Sequence, residues 1–238
     1  MVYLYQQIFY RPILNALVFL YQTAALHDLG LAIILATLIV RLILYPFFHK
    51  GARQQMLMQR IQPKIKEVQE RYKNDREKQA EALMALYKEH GVNPFSSILL
   101  LVVQLPILIA LYRIFLSGLG PMQFTSLYSF VHAPVMVNAT LLGLIDLSKK
   151  NIYLVAIAGI AQYFQARLAI YRAPGADQKN LSAAEKMARQ MSFVGPLITV
   201  VIFFNLPAAV GLYWTVSSIF SVVQQVVVNA HLRKTHGA

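Results

Sequence analysis

The sequence predicts an all-α polytopic membrane protein: five transmembrane helices around a polar groove, with a cytoplasmic helical hairpin and an N-terminal interfacial helix. Three observations lead there. Of 238 residues, 57% are hydrophobic and only 13% charged, about half the charged share of a soluble domain. The charges gather in basic stretches between long apolar runs, the layout of a chain that crosses a bilayer repeatedly. The net charge of +12 then reads as loop asymmetry, because Lys and Arg accumulate in loops that stay in the cytoplasm, rather than as a nucleic-acid surface.

Five segments have the length and apolarity of spans: Leu29 to Phe48, Phe95 to Leu116, Ile152 to Ile170, Phe193 to Leu206 and Ala208 to Val228. The fourth covers only ~21 Å at ~1.5 Å per residue unless it borrows from the amphipathic stretch before it. Asn205-Leu206-Pro207 separates it from the fifth, a tight hairpin signal. Upstream, Ile13 to Tyr21 is apolar but too short to cross, and Pro12 marks a helix start. This segment is expected to lie in the interface. A sixth span is the alternative, but Gln6, Gln7, Arg11 and Asn15 make any longer run too polar. The opening residues lack the compact basic region and small-residue cleavage site of a secretory signal. Cysteine is absent, which excludes disulfides, Cys-based metal sites and thiol nucleophiles.

Loop charge sets the orientation. Ten Lys/Arg lie between His49 and Asn93, four between Tyr171 and Ser192, and two in the C-terminal tail, whereas the other side carries only Arg11, Lys149 and Lys150. The N-terminus is therefore expected outside and the C-terminus in the cytoplasm. The expected organisation is an N-terminal extracytoplasmic part (1–27), a five-helix core (28–48 and 94–230), a cytoplasmic hairpin (49–93) and a short cytoplasmic tail (231–238).

In the hairpin, Met58, Ile61, Ile65, Val68 and Tyr72 recur at helical spacing. Asn74-Asp75 offers a cap with Glu77 behind it, and Ala80, Leu83, Met84 and Tyr87 make a second stripe. Gly91 ends that helix and Asn93-Pro94 resets the chain. The outer loop from Ser117 to Asn151, with Gly118, Gly120, Pro121 and Pro134, reads as irregular structure with short helices.

One residue conflicts with a hydrocarbon environment. Arg41 sits in an apolar run seven residues before Phe48, ~10 Å from that end of the span. An intramembrane Arg costs at least ~2.5 kcal/mol and is expected to face water or a partner. None of the five spans contains an Asp or Glu. Arg41 is expected to line a hydrated cavity that receives an external anionic group; the plainer alternative is a side chain that snorkels to the headgroups. Other spans supply matching polar residues. Trp214, Ser218, Ser221 and Gln225 align along one helix side, Thr37 lies one turn before Arg41, and Gln104 and Gln162 sit mid-span. Singly each is better read as helix–helix hydrogen bonding; together they suggest a polar groove, with Pro106 and Gly211 permitting kinks.

Catalytic patterns are missing: the six His show no paired-ligand spacing, the span serines have no activating base, and there is no Gly-rich phosphate loop. No enzyme, cofactor or metal is expected. A small anion channel or transporter is the rival that a lone Arg would also suit, but inverted repeats are not evident.

Several motifs in this order resemble the YidC/Oxa/Alb insertase family: Thr37 to Pro46, Gln62-Pro63-Lys64-Ile65, Met84 to Lys88, Val92-Asn93-Pro94, Gln104-Leu105-Pro106-Ile107, Ile145-Asp146-Leu147, Gly211 to Trp214, and Gln224-Gln225. The resemblance covers roughly residues 8 to 230. It implies a groove open to cytoplasm and lipid but closed outside, with the groove arginine at Arg41, and a functional hairpin around Gln62, Pro63, Met84 and Tyr87. The implied role is membrane protein insertion in a bacterial plasma membrane. Its partners would be newly made membrane proteins and the lipid bilayer, with the ribosome and a Sec-type translocon as further candidates and no sequence-specific nucleic acid binding. Against the family pattern, the large extracytoplasmic domain of some relatives is not expected here, and the tail has only Arg233 and Lys234 as fixed charges.

Overall fold

The computed structural model describes residues 2–169 and 183–236. Ile170, at the end of the third expected span, residues 171–182 of the basic loop after it, and residues 237–238 of the tail lie outside the described residues.

The N-terminal segment is one helical run: α1 (Val2–Tyr5), a π turn (Gln6–Tyr10) and α2 (Arg11–Thr23). Pro12 lies in the first turn of α2, as expected of a helix start, but the chain before it is helical as well. Proline removes the N–H that would bond the carbonyl four residues back, and the wider π turn just upstream accommodates that loss without ending the helix. Leu14 and Leu17 are fully buried, and Val18 and Tyr21 nearly so. This stripe at helical spacing packs α2 onto α3 (Leu29–Ile43).

Asp28 caps α3, its carboxylate accepting the Leu31 N–H at 2.9 Å. The expected first span to Phe48 is in fact two helices. The chain bends by 68° at Leu44 and continues as α4 (Tyr45–Arg60). Pro46 supplies the cause, because its ring excludes the carbonyl of Leu42 and it has no N–H to give. The hairpin follows as α5 (Gln62–Arg71) and α6 (Arg76–Glu89). Ile61, Ile65, Leu86 and Val92 are its buried centre, with Leu57, Met58, Val68, Leu83 and Tyr87 against them.

The remaining helices are α7 (Ser96–Ser117), α8 (Pro121–Phe124), α9 (Ile152–Ala169), α10 (Ala183–Phe203) and α11 (Ala208–His236). The short fourth span does borrow upstream residues: α10 has 21, or ~32 Å. The expected tail continues α11 to His236. α9 packs against α10 and α11, and α11 against α3. Gly159 permits the α9–α10 approach, since a Cβ there would lie 2.7 Å from Val200. Among the described residues one helix, Ala208–Ala230, is long and apolar enough to cross a membrane by itself, and the bent α3–α4 pair would be a second if taken as one span. Val102–Ser117, Ile152–Leu168 and Ser192–Phe203 are shorter apolar helices. Their outward faces are apolar too: Ile109, Ile160, Val201 and Val223 are exposed, as suits contact with lipid.

The segment after α7 contains α8 and a small exception to the all-α class, an antiparallel pair of β1 (Thr140–Leu141) and β2 (Ile145–Asp146). It is tied to three helix ends. Buried Asn15 donates to Arg11 O (2.8 Å) and Ser126 O (3.2 Å) and accepts from Tyr128 N (2.6 Å). The second carboxylate oxygen of Asp28 accepts from Leu142 N at 2.6 Å. Ala208 N and Ala209 N, at the start of α11, donate to Lys149 O and Leu147 O, satisfying N–H groups that a helix start leaves free.

Candidate functional site

Arg41 lies in the last turn of α3, three residues before Leu44. The helix bend therefore leaves only ~4.5 Å of axial rise between Arg41 and the end of its helix, rather than the ~10 Å expected for a helix continuing to Phe48. Its side chain is 9% exposed. The guanidinium faces the Phe48 ring, 4.5 Å from its centroid, and lies within electrostatic reach of the Tyr213 phenol. It forms no hydrogen bond or ion pair among the described residues. Thr37, one turn earlier, is buried and bonds its own helix through Ile33 O at 2.6 Å.

α11 carries two polar faces. On one, Tyr213 is buried and accepts a hydrogen bond from the Gln104 amide of α7. Further along, Gln224 donates to Tyr45 O at the bend (3.3 Å). On the other, the Trp214 indole N–H donates to Gln162 Oε1 of α9 at 3.1 Å, and its ring meets Phe203 edge-on at 5.1 Å. Gln225 donates to Asn229 Oδ1 (2.9 Å), and Asn229 donates to Leu168 O (3.0 Å) on α9. Ser221 bonds back to Ser217 O (2.9 Å), and Ser218 is buried.

The sequence-predicted residues are thus brought together in pairs. Gln162 meets Trp214, and Gln104 meets Tyr213. Thr37, Ser221 and Gln225 bond within their own helices. Tyr213 and Phe48 fall outside the polar stripes because both count as apolar there; the signal for Tyr213 is its place in the Gly211 to Trp214 motif.

In the hairpin, Gln62 and Pro63 open α5, with Pro63 in its first turn. Tyr87 packs against the buried centre, and its carbonyl accepts Val92 N at 2.9 Å. Met84 corrects the expected stripe: it is 58% exposed, and Leu86 takes the inner position. Gln54 of α4 holds the exit of α6 from both sides, donating to Gly91 O (3.3 Å) and accepting from Asn93 N (3.0 Å). Lys64 Nζ lies 2.9 Å from His90 Nε2, whose Nδ1 faces Leu86 O. The Lys78 backbone N–H holds the Asp75 carboxyl below its usual range. In the outer loop, Ser148 and Lys149 hold Asp146 down to about 2.

No group of three or more metal-ligating side chains occurs among the described residues.

Residues 19–235 match the 60Kd inner membrane protein family. The chain is 33% identical to the membrane protein insertase YidC of Geobacter metallireducens over 221 residues, which is 92% of this chain and 36% of the relative. It is 34% identical to the YidC of Francisella tularensis subsp. novicida over 209 residues, 87% of this chain and 33% of that protein. The chain spans little more than a third of the length of these curated relatives. A match over nearly the whole chain, together with identities above 30%, assigns it: the chain belongs to the 60Kd inner membrane protein family, that of the YidC insertases.

Proposed function

We propose that this chain is a membrane protein insertase that helps hydrophobic segments of client proteins enter the bilayer through a hydrated groove bearing a positive charge. The observation that carries this reading is Arg41: it is buried, its guanidinium against the Phe48 ring, with no acidic partner among the described residues. A charge held that way favours an incoming carboxylate. Moving a client's polar outer segment across ~30 Å of hydrocarbon is the barrier. A groove wet from the cytoplasmic side shortens the dry path, Arg41 attracts an acidic residue on that segment, and the apolar helix leaves sideways into lipid, driven by apolar burial.

In this reading α3, α7, α9, α10 and α11 are the five spans of a 28–48 and 94–230 core. The N-terminus lies outside, the C-terminus inside, and residues 49–93 in the cytoplasm. Thr37, Gln104, Gln162, Trp214, Ser218, Ser221 and Gln225 are the polar groups of the groove and its supporting helix contacts. The hairpin, through Gln62, Pro63 and Tyr87, receives the client or the ribosome, and a Sec-type translocon is a candidate partner. The mechanism is physical, with no covalent chemistry and no cofactor. Depleting the protein from its host cells while following insertion of newly made membrane proteins tests the function. Unimpaired insertion on depletion, or ion conduction by the purified protein in planar bilayers, would reject it.

A further inference from the structure

Two cations lie where the bend redirects the chain. Lys50 and Arg53 are exposed on α4 and form no hydrogen bond or ion pair among the described residues. They are one turn apart and share a face with Pro46 and Leu57. A second side of α4 is occupied, with Ala52 and Met56 packed against Val228 of α11. That packing, and Leu57 against the hairpin centre at the far end of the cationic face, hold α4 in place while Lys50 and Arg53 themselves stay exposed.

Its height follows from the bend. Arg53 is nine residues beyond Leu44, or ~13.5 Å along α4 at ~1.5 Å per residue. With α4 turned 68° from α3, that path advances only ~5 Å along the α3 axis. The headgroup layer outside the hydrocarbon is ~5–8 Å thick on each side. With the end of α3 at the cytoplasmic edge of the hydrocarbon, Lys50 and Arg53 stay within that layer, and neither descends into open cytoplasm. Tyr45 precedes them, a residue type that settles at the same level.

We propose that Lys50 and Arg53 form a binding site for the phosphate of an anionic phospholipid headgroup, which fixes α4 in the cytoplasmic interface. Juxtamembrane cations attract anionic lipids strongly, and a lipid phosphate is the anion present at this depth. Ribosomal RNA, the other polyanion a cytoplasmic basic face would meet, is too bulky to enter the headgroup layer. This rests on the reading that α3 spans the bilayer. Its test reads lipid association and not insertion, so it succeeds or fails separately from the insertase reading.

The full chain is reconstituted in phosphatidylcholine vesicles containing spin-labelled phosphatidylglycerol or spin-labelled phosphatidylcholine. Electron spin resonance then gives the relative association of the two lipids with the protein. The wild type should prefer phosphatidylglycerol several-fold, and the preference should fall with added salt. Lys50→Gln with Arg53→Gln should lose more than half of it. Arg71→Gln with Lys73→Gln, the same loss of charge on the hairpin, should leave it intact, and the charge-preserving Lys50→Arg with Arg53→Lys should keep it. Absence of a salt-sensitive preference in the wild type overturns the proposal without any variant. So does an equal fall in the two neutralised variants, or an unchanged lipid preference accompanied by lost ribosome sedimentation.

Discussion

The guanidinium of Arg41 lies 4.5 Å from the centroid of the Phe48 ring, although the two residues belong to helices that meet at a 68° bend. In a straight helix residues seven apart share a face but sit ~10.5 Å apart along the axis. The bend at Leu44 folds that distance up and lays the ring over the charge. The same proline that ends α3 therefore also supplies Arg41 with its cover. An aromatic face attracts a cation through its quadrupole without neutralising it, so Arg41 is held while keeping its charge.

Removing the ring should loosen Arg41. Phe48→Leu keeps apolar volume but loses the quadrupole, and should cost ~0.5–2 kcal/mol of stability. Phe48→Trp should keep or increase the interaction. Thermal unfolding of the purified variants in one lipid environment checks both, and a Leu variant as stable as the wild type would refute the contact's role.

The outer end depends on Gly30. A Cβ at that position would lie 2.5 to 2.8 Å from Leu141, including its backbone Cα, and backbone cannot rotate aside. Gly30→Ala should therefore push β1 off α3 and strain the Asp28–Leu142 hydrogen bond, costing ~1–3 kcal/mol as overpacking does. Hydrogen exchange of residues 139–147 should accelerate. Exchange unchanged from the wild type would show that the loop yields freely.

Local signals were the legible part of the fold. Asp75 caps α6 through Lys78 N at 3.1 Å, and Gly91, with φ +61°, ends it, both as short-range chemistry requires. What the sequence hid were choices between equivalent local options. Met84 continues a helical stripe from Ala80 and Leu86 one from Leu83, and only packing against α5 selects Leu86. Arg11 and Asn15 read only as residues too polar for a longer span, because their partners Ser126 and Tyr128 lie more than 100 residues away. Hydropathy ran unbroken to Phe48 and concealed the stop that Pro46 imposes. The polar residues of the spans were visible as a set. Their pairing through Tyr213 was not, since a tyrosine enters a hydropathy pattern as an apolar residue.

The outer loop should be insensitive to pH over most of the range and weaken only in acid. Asp146 has its carboxyl held at about 2, first by the Ser148 hydroxyl and then by Lys149. A carboxyl whose folded pKa lies below its unfolded value of ~3.9 contributes stability above that value and loses it as pH falls toward the folded pKa. Exchange of the 145–149 amides should thus be even from neutrality to pH ~4, once corrected for intrinsic rates, and speed up between ~4 and ~2. Asp146→Asn should abolish that step. A step that persists in the Asn variant would assign it to another group.

The decisive variants concern Arg41 itself. Its guanidinium makes no hydrogen bond among the described residues, so no bidentate geometry is at stake there, which is the feature that usually makes Arg and Lys unequal. If the charge acts by attracting a client carboxylate, Arg41→Lys should retain much of the insertion activity, whereas Arg41→Ala and Arg41→Glu should lose it. The loss should be largest for clients with an acidic residue in the translocated segment, because attraction across a groove of intermediate dielectric is worth ~1–4 kcal/mol. Clients without that acid should be affected less. The measurement is insertion of matched acidic and neutral clients by wild type, Lys, Ala and Glu variants at equal protein levels. If Lys fails together with Ala and both variants unfold more easily, Arg41 serves as a structural clamp. If acidic clients insert equally well with all four proteins, Arg41 has no part in insertion.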